Sequence, residues 1–469
     1  MERRLHLIAA VLLLFFSAAG VSAAQPHYAM DLVVDFEAGV VSGTLSVHYW
    51  NMTGIPQTEL FFRLHPNATH IYGSASLNIL SVTADGLPVE PQLFVEDTVL
   101  LVPLAQALAP GSETTVTLTF EAMASLHTSE SADQPSDYGI LTKSQHALVL
   151  TAFYPILAPY TDEGWAIDPP FPIGDALMAE AASYDVKLQL PGELQPITSG
   201  RLAETSSGEG TMSYRYTVDA ARDFSIVIGS ALAEQSSSVR SKTLRTWFAA
   251  EHEEASRRAL DVASASLELY ELLVGACPYD EIDLVEVPLH RVAGVEFAGL
   301  ILVSSGYAAN PATTFFDVII SHEMAHQWFY AGVGNDPIEE PWLDESLATY
   351  LSYLFLEAAA LPGIGSAELA SWERAYQRAR AAHPDLAISR PLYDFPDSST
   401  YSAFVYSGGA VMLDAIRREI GDEAFFAALA TYFETYEFEI APGSAWIAVL
   451  EDACRCSLAP ILSSFRLVP

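Results

Sequence analysis

The sequence predicts a multidomain α and β protein: a domain of short antiparallel strands, then a mixed domain in which helices dominate. Three observations predict it. From 25 to about 229, apolar and polar residues alternate with period two, and turn signals separate the runs. Past a Ser-rich stretch at 231–241, apolar residues recur at helical spacing. The chain has 469 residues, 51% of them hydrophobic, which gives room for two or three domains and a large core.

Residues 1–24 read as a secretory signal. Arg3 and Arg4 precede an apolar run at 7–16, and Val21-Ser22-Ala23 forms a small-residue cleavage site. The run is short for a membrane span, and no later stretch approaches the roughly 20 apolar residues a spanning helix needs. An exported protein is expected, secreted, periplasmic or at the cell surface.

The β domain is assigned to 25–235. Leu45, Val47 and Tyr49 alternate with polar neighbours, as do Val116, Leu118 and Phe120. Tyr184, Val186, Leu188 and Leu190 follow the same pattern, and so do Met212, Tyr214, Tyr216 and Val218. Asp85-Gly86, Pro110-Gly111 and Pro191-Gly192 mark turns. Asn51-Met52-Thr53 and Asn67-Ala68-Thr69 are glycosylation sequons. The segment 155–175 holds five prolines and little periodicity, so it reads as a loop. The stretch 231–241 reads as a linker.

The second domain is assigned to 236–469. An amphipathic helix is predicted over 255–273, and strands over 282–287 and 300–303. Further helices are predicted over 315–330, 342–358, 409–420, 422–436 and 445–452, with a Pro- and Ser-rich loop at 389–399.

The net charge of −37 makes a polyanion an unsuitable partner, so nucleic acid is not expected. Three cysteines, Cys277, Cys454 and Cys456, leave at least one unpaired. Cys454 and Cys456 stand too close for an ordinary bridge to form easily, so Cys277 with one of them is the expected pairing if one exists.

The chemistry concentrates in 321–350. His322-Glu323-Met324-Ala325-His326 has the order His-Glu-x-x-His, and Glu345 follows after eighteen residues. Residues four apart share one helix face, so His322 and His326 can address one metal ion. Glu323 sits one residue round, near enough to reach a metal-bound water without being a ligand. Two His and one carboxylate with a fourth position open form a catalytic zinc set, one ion per chain. Glu345 lies early in the 342–358 helix, which Pro341 can start. At this composition chance would supply such a motif about 0.04 times, so a merely structural histidine pair is the weaker reading.

With these residues placed, the chain resembles the M1 family of zinc metallopeptidases, the gluzincin aminopeptidases. His326-Gln327-Trp328 and Trp342-Leu343-Asp344-Glu345-Ser346 resemble the family's H-Q-W and W-L-N-E-G. Ala293-Gly294-Val295-Glu296-Phe297 resembles its G-A-M-E-N exopeptidase motif, with Glu296 placed 26 residues before His322. Val405-Tyr406-Ser407-Gly408-Gly409-Ala410 resembles its Y-x-K-G-A segment, with Tyr406 placed 61 residues after Glu345. The resemblance implies an N-terminal antiparallel β saddle domain followed by a thermolysin-like α/β zincin catalytic domain, in a short two-domain form.

It also implies roles. His322, His326 and Glu345 hold zinc, and Glu323 is the general base. Tyr406 stabilises the oxyanion, with Tyr401 as the alternative. Glu296 binds the free α-amine of a peptide, and the backbone at Gly294 and Val295 pairs with it. Val295, Phe297, Asp344, Ser346 and Ser407-Gly408 depart from the family pattern. A second amine-binding residue from the β domain is common in the family; Gln145 is a weak candidate. The implied activity is removal of N-terminal residues from peptides with a free N-terminus. A zinc endopeptidase on the same scaffold is the alternative, and a non-catalytic zinc-containing binding protein the third reading.

Overall fold

Strand His27–Asp35 shows how the alternation works. Tyr28, Met30, Leu32 and Val34 are buried, while Asp31, Val33 and Asp35 face solvent. The computed structural model describes residues 25–126, 138–175, 177–290, 292–359 and 363–467, so the secretory signal at 1–24 lies outside the described residues.

The β domain is built on an eight-stranded sheet. Its order is Arg201–Ser207, Thr211–Ala221, Ala182–Pro191, His27–Asp35, Val40–Trp50, Glu113–Met123, Ser76–Ala84, Leu87–Pro88. All pairs are antiparallel but one: His27–Asp35 runs parallel to Ala182–Pro191, with His27 opposite Ser183. Smaller sheets of five, four and two strands complete this domain among the described residues. Both sequon asparagines are structural. Asn51 is fully buried and donates to the Ile55 and Leu108 carbonyls, each at 2.8 Å. Asn67 donates to Asp97 O at 2.9 Å and accepts from Leu77 N at 2.8 Å.

The Ser-rich stretch read as a linker is a strand. Leu232–Val239 pairs antiparallel with Lys242–Ala249 at one edge of the catalytic sheet. At an edge it buries little beyond Val239, so its composition resembles that of a linker. The sheet continues through Glu281–Val287 and Leu300–Ser304, all parallel, and ends at Gly294–Phe297, antiparallel to its neighbour. Glu296 therefore lies on the opposite edge.

Helix Glu253–Leu273 buries Ala255, Ala259, Ala263, Leu267 and Tyr270 on one face. Tyr270 donates to Ser321 O at 2.9 Å and so braces the histidine helix, Thr314–Ala325. That helix starts at Thr313, whose side chain accepts from Phe316 N at 3.2 Å. The glutamate helix, Trp342–Ala359, packs against it. The predicted 315–330 helix overshot. After Ala325 the chain turns, Phe329 bridges Val333, and Tyr330 takes a φ of 121°. Trp328, Phe329 and Tyr330 are buried by tertiary packing, which mimicked a continuing helix. A helix at Ile364–Ala382 was absent from the sequence reading.

Cys454 and Cys456 form a disulfide, and Cys277 is free and buried. The expected pairing fails because Arg455 adopts the left-handed conformation at φ 52°, which sets the two Cα atoms 5.2 Å apart. Burial pushes the Cys277 thiol up to about 12.

Candidate metal centre

The histidine helix ends in a hydrogen bond that fixes one ligand. His326 Nδ1 lies 2.9 Å from the Phe329 carbonyl, which can only accept, so Nδ1 carries a proton and Nε2 is the nitrogen turned toward the other candidate ligands. That Nε2 faces His322 Nε2 at 3.1 Å. Glu345 Oε2 stands 3.2 Å from His322 Nε2 and 3.6 Å from His326 Nε2, and it makes no hydrogen bond. Ligands held at about 2.0–2.1 Å from a tetrahedral zinc lie roughly 3.3 Å apart. The three separations bracket that value, so the donor set fits a metal ion. His326 and Glu345 are buried.

A second grouping, Glu296 with Glu323 and His326, also brings ligand atoms within 4.8 Å of one another. It would have to share His326, whose Nε2 is already directed at His322 and Glu345. His322, His326 and Glu345 are therefore the grouping that could hold a metal ion.

Glu323 is buried, and its Oε2 has no hydrogen-bond partner. It lies against Gly294, where a Cβ would come within 2.5 Å of Glu323 Oε1, so only glycine fits at the head of the Glu296 strand. Gln327 ties the two elements together. Its Oε1 accepts from Gly299 N at 2.9 Å, and its Nε2 donates to Phe297 O at 3.1 Å. Glu296 and Glu323 are thus held side by side by residues on both their elements.

Tyr406 lies on a π-helical turn, Ala403–Gly408. Its ring stacks on His322 at 5.7 Å, and its hydroxyl donates to Glu345 Oε1. Tyr401 is buried edge-on against Tyr406 at 5.7 Å. Ser346 donates to the Val405 carbonyl at 3.0 Å, and a Cβ on Gly409 would sit 1.8 Å from Ser346 Oγ. The serine beside the third ligand thus holds the turn that carries Tyr406. Asp344 accepts from Glu345 N at 2.9 Å and from Asn335 Nδ2 at 3.0 Å.

Carboxyls crowd this space. Burial, then the charge of Glu345, pushes Asp175 up to about 8 and Asp344 up to about 7. Burial pushes Glu323 up to about 8, against the pull of His326. Glu296 is raised well above the usual range by burial, and His326 again opposes. Glu345 moves the other way: burial would raise it, but the two imidazoles hold it below the ordinary carboxylate range. Such an excess of buried acid suits a bound cation.

Asp175 escaped the sequence reading. It comes from the Pro-rich loop, which carries no periodicity, and no local spacing signals that it meets Glu345. Gln145 is exposed beside the short strand Ala147–Leu150.

A β-sheet domain joined to an α/β domain, with His-His-Glu from two packed helices converging on one point, defines the zincin class of metallopeptidase fold. Residues 258–465 match the model of the peptidase family M1 domain. Over that stretch the chain is similar to the family. Aminopeptidase M1-B of Oryza sativa subsp. japonica is 26% identical over 299 residues, 58% of this chain and 32% of that protein. Aminopeptidase N of Lactobacillus helveticus is 27% identical over 232 residues, 45% of this chain and 26% of that protein. The chain thus spans about a third or less of the length of these relatives. The M1 zinc metallopeptidase of Deinococcus radiodurans shares the fold at a TM-score of 0.66 and 19% identity, over 96% of each chain. A mutant of that enzyme bound to a Tyr-Ser-Ala substrate superposes at 0.65 and 19%, over 95% of each chain. Among the described residues, no helix is long and apolar enough to cross a membrane.

Proposed function

We propose that the chain is an exported zinc aminopeptidase that removes N-terminal residues from peptides. The observation that carries this reading is Glu296 on an open sheet edge, beside Glu323 and the His322–His326–Glu345 centre. Zinc held there supplies Lewis acidity to the scissile carbonyl and to the attacking water. Glu323 takes the water's proton on its unpaired oxygen and passes it to the leaving amine. Tyr406 donates its hydroxyl to the developing oxyanion, reaching from its place against His322. Glu296 accepts the α-ammonium, which needs an anionic partner once removed from water. The free backbone edge at Gly294 and Val295 pairs with the peptide as an added strand. The aminopeptidase names of the relatives support the same reading.

The test compares an aminoacyl reporter with its N-acetylated form on the zinc-loaded chain. Faster release from the free amine is expected, and Glu296→Ala should reduce that preference. Equal or faster cleavage of the blocked form would overturn the exopeptidase reading. Internal cuts in an unfolded protein, insensitive to Glu296→Ala, would replace it with an endopeptidase.

A further inference from the structure

Two large aromatic side chains stand in solvent at the start of the histidine helix. Phe315 is 48% exposed and Tyr307 is 39% exposed, and their ring centres lie 5.3 Å apart with the planes inclined by 61°. We propose that this pair is a platform for the fourth residue of a peptide substrate and favours an apolar side chain there, phenylalanine or leucine. The proposal rests on the aminopeptidase reading above and adds a specificity determinant downstream of the scissile bond.

Direction comes first. The histidine helix and the Glu296 strand run the same way. Glu323 lies against Gly294, and one helical turn further on Gln327 Nε2 donates to Phe297 O at 3.1 Å. A peptide with its amine at Glu296 and its first carbonyl beside His322 and Glu323 therefore leaves toward the beginning of both elements. On the strand side it passes Gly294 and Ala293. Ala293 O accepts from Ser304 N at 3.0 Å, and Ser304 leads into the short helix Ser305–Ala308, which carries Tyr307. On the helix side it runs toward Phe315. The two rings thus meet where the strand side and the helix side converge.

Distance comes second. Phe315 precedes His322 by seven residues. At about 100° each, seven residues fall roughly 20° short of two turns, so both side chains lie on one stripe of the helix. At about 1.5 Å per residue they stand roughly 10 Å apart along its axis. An extended peptide advances about 3.4 Å per residue, so three steps cover that span. Counted from a first residue at the metal centre, the third step reaches the fourth residue.

Chemistry comes third. Phe316, the next residue, is fully buried and packs in the core, whereas Phe315 turns its ring outward. An apolar side chain laid on the two rings removes apolar surface from water on both partners. The rings offer no cation to an acidic side chain, and the chain's net charge of −37 opposes one.

The experiment uses the zinc-loaded full chain and free-amine tetrapeptides Ala-Ala-Gly-X, with X as Phe, Leu, Ala or Asp. Initial release of the first alanine is followed by chromatography. Phe and Leu are expected to raise kcat/KM about fivefold over Ala, through KM, with Asp no higher than Ala. Phe315→Ala and, separately, Tyr307→Ala should bring the Phe-to-Ala ratio close to one. If the variants do not fold, the unmodified protein still tests the register: moving the ring to the sixth place, in Ala-Ala-Gly-Gly-Gly-Phe against Ala-Ala-Gly-Gly-Gly-Ala, should abolish the gain. Equal kcat/KM for X as Phe and as Ala overturns this proposal alone. A ratio unmoved in both variants, as expected if the rings only fasten the short helix to the histidine helix, does the same, and so does an equal gain from the sixth place. Failure to release alanine from any of these peptides overturns it together with the aminopeptidase reading.

Discussion

His326 shows how much one hydrogen bond decides. The Phe329 carbonyl at 2.9 Å fixes a proton on Nδ1 and turns Nε2 toward the other candidate ligands. One residue round from His322, Glu323 keeps a carboxylate oxygen unpaired in a buried site. Glu323→Gln should retain zinc, read as metal content, while turnover falls by about 10²–10⁴-fold. Activity close to the unmodified level would sink the general-base role. The buried acids also fix a pH dependence. In the folded metal-free chain, burial raises Asp344 to about 7 and Asp175 and Glu323 to about 8. In the unfolded chain these groups return to their ordinary values near 4. The folded state then binds their protons more tightly, so their contribution favours folding at low pH and is lost as pH rises between about 4 and about 8. The metal-free protein should melt at lower temperature at pH 8 than at pH 5.5, and zinc should narrow the gap. A metal-free melting temperature that rises with pH over this window would contradict the burial of these carboxyls.

At the scale of elements, legibility followed the strength of the local pattern. The glutamate helix was predicted over 342–358 and is observed as Trp342–Ala359, because its apolar face is wide. Helix Ile364–Ala382 buries Gly365, Leu369 and Tyr376, a stripe too thin to register in the sequence. The π-turn at Ala403–Gly408 was marked in the sequence only by the motif segment around Tyr406, with nothing to signal its helical type, yet it sets the height of Tyr406 against His322. Its register depends on Ser346 meeting Gly409. Gly409→Ala would drive a methyl group into Ser346 Oγ, where the built Cβ lies at 1.8 Å. Overpacking of this kind costs about 1–3 kcal/mol, visible as a lower melting temperature. Ser346→Gly in the same chain removes both clashing side-chain atoms and should recover most of that loss. Additive losses in the double variant would show that the contact does not set the turn.

At the scale of the molecule, the candidate triad and Glu296 stand out in the sequence because each sits in a short motif. The wall facing them does not. Asp175 reaches the site only because the β domain docks against the catalytic one, and no local spacing encodes docking. Arg222 is central to that contact. It is buried, and its guanidinium donates to Ala179 O at 3.1 Å, Gly332 O at 3.0 Å and Glu439 O at 2.6 Å, as well as to Tyr330 O. Two of these carbonyls belong to the turn that follows His326. Next to it, Asp223 accepts from the Tyr330 hydroxyl at 2.9 Å and from Ala298 N at 3.1 Å, just beyond the Glu296 strand. One dipeptide of the β domain thus pins both sides of the candidate site. Arg222→Met fills a similar volume but leaves four buried carbonyls without this donor, a loss of about 3 kcal/mol or more. Arg222→Lys should recover little, because a single ammonium cannot span acceptors arranged around a planar fork. Arg215→Met removes a partly exposed partner of Asp185 and should cost less than about 1 kcal/mol, which makes it the matched control. Thermal melts of the three variants, with bound zinc measured alongside, separate these cases. If Arg222→Met melts with Arg215→Met and keeps its metal, the docking of the two domains does not depend on this arginine.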